Sequence, residues 1–359
     1  MKKILCLLFS ALLILSAAAS LAESGALPSL REIYAEKFDI GTAVPRMIAA
    51  NKSRMDFCAT QFVIFTPENE LKPDAVLDVM ESRKLAQNDE TAVAVHFDSA
   101  KPLLDYAKEN GLKVHGHVLV WHSQTPDAFF HEGYTVSKPF VSREVMLARL
   151  ENYIKAVMEY MDANYPGVIV SWDVLNEAVN DGASNLRGSN WLKIIGQDYP
   201  ARAFEYARKY APEGTLLFYN DYNTAQEPKQ TGIVNLLKTL IAEGNIDGYG
   251  FQMHHDADYP SSAQIENAVK RIAALGLKLR VSELDVGIPN NSEASLQKQA
   301  KKYADIMRIL DKYTDQFIAV QVWGLSDNVS WRSAKYPLLF DKALNPKPAF
   351  WAVADPNAY

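Results

Sequence analysis

Two glutamates close apolar runs in this chain: VIVSWDVLNE ends at Glu177, and Glu283 lies in LKLRVSELDV (277–286). Carboxyls at the tips of two strands can face each other across a narrow barrel at about 5 Å. That separation lets one attack a glycosidic carbon while the other protonates the departing oxygen. The residue types nearby suit a sugar. Trp121, Trp323 and Trp331 offer flat apolar faces, and Asn69, Asn176, Gln252 and Lys72 offer donors. A sugar ring presents an apolar C–H face and an equator of hydroxyls, so its site needs both kinds of group. On a strand of period two, Gln252 and His254 point the same way, as do Glu283 and Asp285. His254 is then placed to bridge both carboxylates of a neighbouring strand.

These groups need a frame that brings distant segments together. Eight short apolar runs recur: FDIGTAV (38–44), QFVIFTPENE (61–70), KVHGHVLVWH (113–122), VIVSWDVLNE (168–177), TLLFYNDYN (215–223), GYGFQMHH (248–255), LKLRVSELDV (277–286) and FIAVQVWGLSD (317–327). Strands covered on both faces have this near-continuous apolar character. Helix-like stretches alternate with them. In 141–165, Val145, Leu147, Leu150, Ile154 and Met158 recur at helical spacing after Ser142, a candidate start. The stretch 262–276 ends at Gly276, a candidate C-cap, and 295–313 is similar. Strand and helix alternating eight times predict a single (β/α)8 TIM barrel over residues 23–359. Such barrels carry their active sites at the C-terminal ends of the strands. Those ends hold Glu68, Asn69 and Lys72; His117, Trp121 and His122; Asn176 and Glu177; Asn220; Gln252 and His254; Glu283 and Asp285; Trp323 and Asp327. The long polar connection 73–98 is expected to be a mobile surface insertion.

Composition narrows the partners. The 359 residues are 48% hydrophobic and 22% charged, as in a folded globular protein. A net charge of −6 gives no footprint for nucleic acid or an anionic membrane. At the N-terminus, Lys2 and Lys3 precede an apolar run, Ile4 to Leu15, too short for a comfortable membrane span, and small residues follow. This predicts a signal peptide over 1–22, cleaved after Ala22, and a secreted or periplasmic protein with no membrane contact after cleavage. Cys58 would then be the one cysteine left, without an internal disulfide partner, and is expected to be buried and inert.

Five segments in order, TPENELK (66–72), HGHVLVWHSQTP (115–126), WDVLNE (172–177), SELD (282–285) and WGLSDNVSWR (323–332), resemble glycoside hydrolase family 10, the endo-1,4-β-xylanases. GFQMHH (250–255) and LLFDKALNPKPAF (338–350) fit as well, so the resemblance covers essentially the whole mature chain. It implies Glu177 as general acid/base, Glu283 as nucleophile, and His254 as the partner of the nucleophile with Asp285 behind it. Asn176 would hold the sugar 2-hydroxyl. Glu68, Asn69, Lys72, His117, Trp121, Gln252, Trp323 and Trp331 would contact the glycone. The resemblance also implies xylan and xylo-oligosaccharides as substrates, no cofactor or metal, and a monomer. His115, where the family often has arginine, and Pro73, where tryptophan is common, depart from the pattern. Two other readings compete. A metal hydrolase would use His115 and His117 with His254 and Asp327. A sugar-binding protein would use the same rim without chemistry.

Overall fold

The computed structural model describes residues 27–359, so the segment 1–22 expected to be a signal peptide lies outside the described residues. The apolar runs form nine strands: β1 Asp39–Val44, β2 Ile64–Pro67, β3 Lys113–Trp121, β4 Ile169–Asn176, β5 Leu216–Asp221, β6 Gly248–Phe251, β7 His254–Asp256, β8 Lys278–Gly287 and β9 Phe317–Val322. All pairings are parallel. The order β6-β5-β4-β3-β2-β1-β9-β8 closes on itself through β6–β8. The short β7 pairs with β8 alone. This is the eight-stranded (β/α)8 barrel expected from the alternation.

The sixth run departs from expectation in one respect. The pattern predicts one strand through His255, but the chain breaks at Gln252–Met253, where Met253 takes φ +55°. Gln252 therefore stands at the end of β6, and His254 begins a separate strand against Asp285.

The principal outer helices are α1 Lys52–Gln61, α2 Lys101–Glu109, α3 Arg143–Asn164, α4 Tyr199–Tyr210, α5 Lys229–Glu243, α6 Ser262–Ala273, α7 Glu293–Asp311 and α8 Pro348–Ala354. Ser142 caps α3 by accepting from Val145 N, as its position suggested. Leu150, Ile154 and Met158 bury the inward face, joined by Met146 and Val157, while Val145 and Leu147 are only partly covered. On α6, Ser261 and Gln264 form a capping box. The expected C-cap, Gly276, is displaced: Ala274 caps the helix and Gly276, at φ +77°, turns the chain just beyond it. Cys58 is fully buried, and burial pushes its thiol up to about 12.

The 73–98 connection is folded rather than a loose insertion. Two short helices, Pro73–Val76 and Val79–Leu85, are followed by a bridge from Leu77 to Val95. Val76, Leu77 and Phe97 enter the core, and Glu90 pairs with the fully buried Arg149 of α3. Its polar residues face outward and concealed these anchors in the sequence.

Candidate active site

The register of the barrel sets neighbouring tips side by side: Trp121 pairs with Asn176, Asn176 with Asn220, and Asn220 with Gly250. Gly250 is required there, because a Cβ on it would lie 2.5 Å from Asn220 Oδ1. At the end of β4 the chain turns out of the strand at Glu177, whose φ of +54° costs a non-glycine residue about 1–2 kcal/mol. Two bonds hold it in that conformation: Glu177 N donates to Asn220 O (2.9 Å), and Arg187 Nε donates to Glu177 O (3.0 Å).

A cleft of about 860 Å³, part of it open to solvent, lies over these tips. It is lined by Glu68, Asn69, Lys72, His117, Trp121, Asn176, Glu177, Gln252, His254, Glu283, Trp323 and Trp331, together with Gln124 and Tyr222. The structure thus brings together every residue of the expected site except Asp285, which is fully buried behind His254. A second hollow, lined by Met158, Met161, Tyr165 and Trp172 with residues 212–215, is at the opposite end of the barrel and lacks such a set of groups.

The two glutamates are held in different ways. Glu283 Oε1 accepts from Asn220 Nδ2 (2.7 Å) and Oε2 faces His254 Nε2 (3.0 Å). His254 Nδ1 faces Asp285 Oδ2 at 2.8 Å, so the histidine bridges both carboxylates. Burial alone would strip His254 of its proton, but the charge and hydrogen bond of Asp285, with those of Glu283, raise it to about 10. Burial likewise opposes ionisation of Glu283, yet the His254 bond, with the charges of His117 and His254, more than offsets it and holds the carboxyl below its ordinary value. Asp285 shows the same balance between burial and its partners His254 and Arg332. Trp331 Nε1 also donates to Asp285 Oδ2 (3.1 Å).

Among the described residues, the Glu177 carboxyl accepts from no cationic donor. Its Oε2 accepts from Trp121 Nε1 (3.0 Å) and its Oε1 from Gln252 Nε2 (3.1 Å). His122 lies 4.0 Å from Oε2, but burial, with Arg187 and Lys229, lowers it to about 4, so it brings no charge at neutral pH. The imidazolium contact suits Glu283 to act ionised, as a nucleophile, while Glu177, bound by neutral donors, is left to the proton transfer.

Amides link the two. Asn220 is fixed on both sides, accepting from Ser282 Oγ (2.6 Å) and donating to Glu283. The Asn176 atom facing Asn220 Nδ2 at 2.9 Å must therefore be oxygen, which also accepts from Gln252 Nε2 at 3.3 Å. Swapping the Asn176 amide would set two donors against each other there, although its oxygen would then lie 3.3 Å from Trp121 Nε1. The retained orientation leaves the Asn176 NH2 as the end free for a ligand.

On the neighbouring arc, Lys72 Nζ donates to Asn69 Oδ1 and Gln124 Oε1 (both 2.9 Å) and sits 4.9 Å from the Trp121 ring centre. Burial pushes the Glu68 carboxyl up to about 7 against the pull of Lys72, helped by Glu70 and Glu283. His117 Nδ1 is held by Asp173 (2.9 Å) beneath the cleft floor. Trp323 is buried edge-on to His117 and His254, whereas Trp331 stands largely exposed at the rim.

Sequence reasoning places Asn220 at a strand tip without a role and leaves out Gln124, Tyr222 and Arg332. Asn220 and Gln124 lay within segments already singled out, but their roles depend on partners more than fifty residues away. The metal reading finds no centre: His115 and His117 both turn to Asp173, His254 is taken by Glu283 and Asp285, and Asp327 pairs with Lys347. Among the described residues, no group of three or more His, Cys, Asp or Glu is placed to hold a metal.

Comparison with known proteins gives the family. The model of glycosyl hydrolase family 10 matches residues 29–356. Endo-1,4-beta-xylanase B of Butyrivibrio fibrisolvens is 38% identical over 335 residues, covering 90% of this chain and 52% of that protein. The bifunctional endo-1,4-beta-xylanase XylA of Ruminococcus flavefaciens is 37% identical, over 91% of this chain and 34% of its own length. The chain thus spans about half the length, or less, of these curated relatives. Among solved structures, endo-1,4-beta-D-xylanase 10B of Clostridium thermocellum in complex with xylohexaose aligns with a TM-score of 0.85 at 34% identity, over 91% of this chain and 67% of that one. An intracellular xylanase of Thermoanaerobacterium saccharolyticum, a mutant in complex with xylotriose, gives 0.82 at 35%, over 91% and 98%. A family model that spans nearly all of the described residues, on a barrel with two glutamates in one cleft, makes this chain a member of glycosyl hydrolase family 10.

Proposed function

We propose that the protein is an endo-1,4-β-xylanase that hydrolyses internal bonds of xylan with retention of anomeric configuration. The observation that carries this reading is the asymmetric holding of two glutamates in one open cleft: Glu283 by an imidazolium and an amide, Glu177 by an indole and an amide. The xylanase names of the relatives, and the xylo-oligosaccharides bound to the similar structures, support the substrate class.

In this mechanism ionised Glu283 attacks the anomeric carbon while protonated Glu177 gives its proton to the leaving oxygen. Water then enters, Glu177 takes its proton, and Glu283 is released with the configuration retained. The free NH2 of Asn176 is positioned to hold the 2-hydroxyl, and His254 keeps Glu283 ionised between turnovers. Trp121, Trp323 and Trp331 supply ring faces, and Glu68, Asn69, Lys72, His117 and Gln252 supply polar contacts on the glycone side. The basic and apolar character of residues 2–15 supports export by a signal peptide cleaved after Ala22.

Early digestion of xylan tests the reading. Mixed xylo-oligosaccharides in the presence of a chelator are expected. Xylose alone, released from chain ends, would contradict endo cleavage, and abolition by the chelator would favour a metal hydrolase.

A further inference from the structure

Beside Glu177, on the arc opposite Glu68 and Lys72, the cleft wall is formed by Tyr222. A buried ion network stands behind it. The Lys229 side chain is 2% exposed, and its Nζ lies 2.9 Å from Asp221 Oδ1, 3.0 Å from Asp181 Oδ1 and 3.4 Å from the centre of the Tyr222 ring. Asp181 also accepts from the Tyr222 hydroxyl, and Arg187 Nη2 donates to that hydroxyl at 2.9 Å. The same Arg187 holds the main-chain carbonyl of Glu177. Asp221, in turn, accepts from Tyr222 N through its side chain (2.8 Å) and from Gln252 N through its carbonyl (3.1 Å). Both sides of Glu177 are therefore tied to one ammonium.

Local physics disfavours a lysine there. Lys229 is the first residue of α5, where the helix dipole repels a cation, and burial adds a further penalty. A charge kept against both is explained by what its partners hold in place.

We propose that Lys229 is a positioning residue for the leaving-group side of the cleft: through Asp181, Asp221 and the Tyr222 ring it sets the wall against which the departing sugar rests, and through Arg187 the carbonyl of Glu177. This rests on the retaining-xylanase reading, in which the Glu68–Lys72 arc takes the glycone and the Tyr222 arc takes the sugar that leaves. Lys229 itself touches no substrate. Its loss therefore affects substrates according to whether their leaving group is a sugar.

The test compares kcat/KM for a xylo-oligosaccharide with that for an aryl xylobioside bearing an acidic phenol. The phenol places no sugar against Tyr222 and leaves without help from Glu177. In Lys229→Met the oligosaccharide value is expected to fall at least about tenfold, as when a bound group is slightly misplaced, with the aryl substrate within about threefold of wild type. Asp181→Asn, at an exposed position, provides a second variant if Lys229→Met does not fold, and is expected to show the same selectivity at smaller amplitude. An equal fall on both substrates, or no fall on either, overturns the proposal. Wild-type protein inactive on both substrates would instead overturn the xylanase reading.

Discussion

His254→Leu removes the imidazolium that faces Glu283 Oε2 at 3.0 Å while filling its space with an apolar group. Glu283 then keeps the Asn220 bond on Oε1 but meets its burial without the His254 bond and charge. A hydrogen bond to a charged group contributes about 1.5–3 kcal/mol. At about 1.4 kcal/mol per unit, the Glu283 carboxyl should rise by about one to two units. Because the proposed mechanism needs Glu283 ionised in the free enzyme, the acid limb of kcat/KM against pH should move upward by that amount on an aryl xylobioside. A carboxyl lowered by folding adds stability above its unfolded pKa, and that stability is lost as pH falls through the folded value. The variant should therefore also lose less stability than the wild type on acidification. An acid limb that stays in place, or moves downward, would refute the claim that His254 holds Glu283 ionised.

Gly250→Ala would force a Cβ against Asn220 Oδ1 and tilt the amide that joins Asn176 to Glu283; turnover should fall about a hundredfold, checked by kcat with folding verified by circular dichroism. Glu68 has a folded pKa raised to about 7, so it costs stability as pH rises from the unfolded value through 7. Glu68→Gln should accordingly gain about 1–3 kcal/mol at pH 8 and little at pH 5 in denaturant titrations. Trp323 is 6% exposed and Trp331 60%, so Trp323→Ala should destabilise the fold by about 3–5 kcal/mol and Trp331→Ala by less than about 1 kcal/mol. If either indole screens out a hydroxymethyl group, its alanine variant should narrow the ratio of xylan to β-1,4-glucan cleavage.

The barrel was legible because its eight strands are apolar on both faces and seven of them end in polar residues, a pattern that local solvation does not produce so often. The His254 bridge was legible for a related reason: Glu283 and Asp285 share a strand face, and the register needed to place His254 between them is a small one. Less local features were hidden. Met253 adopts a left-handed conformation that its residue type does not announce, so the split between β6 and β7 could not be read. Asn220 is an ordinary strand-tip amide until Gly250, Ser282 and Glu283 close around it. The 73–98 segment has the polar composition of a free loop, and its order comes from three apolar anchors and the distant Arg149. Lys229 is one lysine among many in sequence, and only the fold surrounds it with two carboxylates and a ring.

The assignment of roles to the two glutamates is tested most directly by azide rescue. Glu177→Ala on an aryl xylobioside with an acidic phenol should form the covalent intermediate and then stall, since no base activates water. Azide, which needs no base, should restore turnover and give the β-xylobiosyl azide, while Glu283→Ala stays inactive on xylan. If azide instead rescues Glu283→Ala to give the β-azide, and turns Glu177→Ala over only to the α-azide, the two roles are the reverse of those proposed.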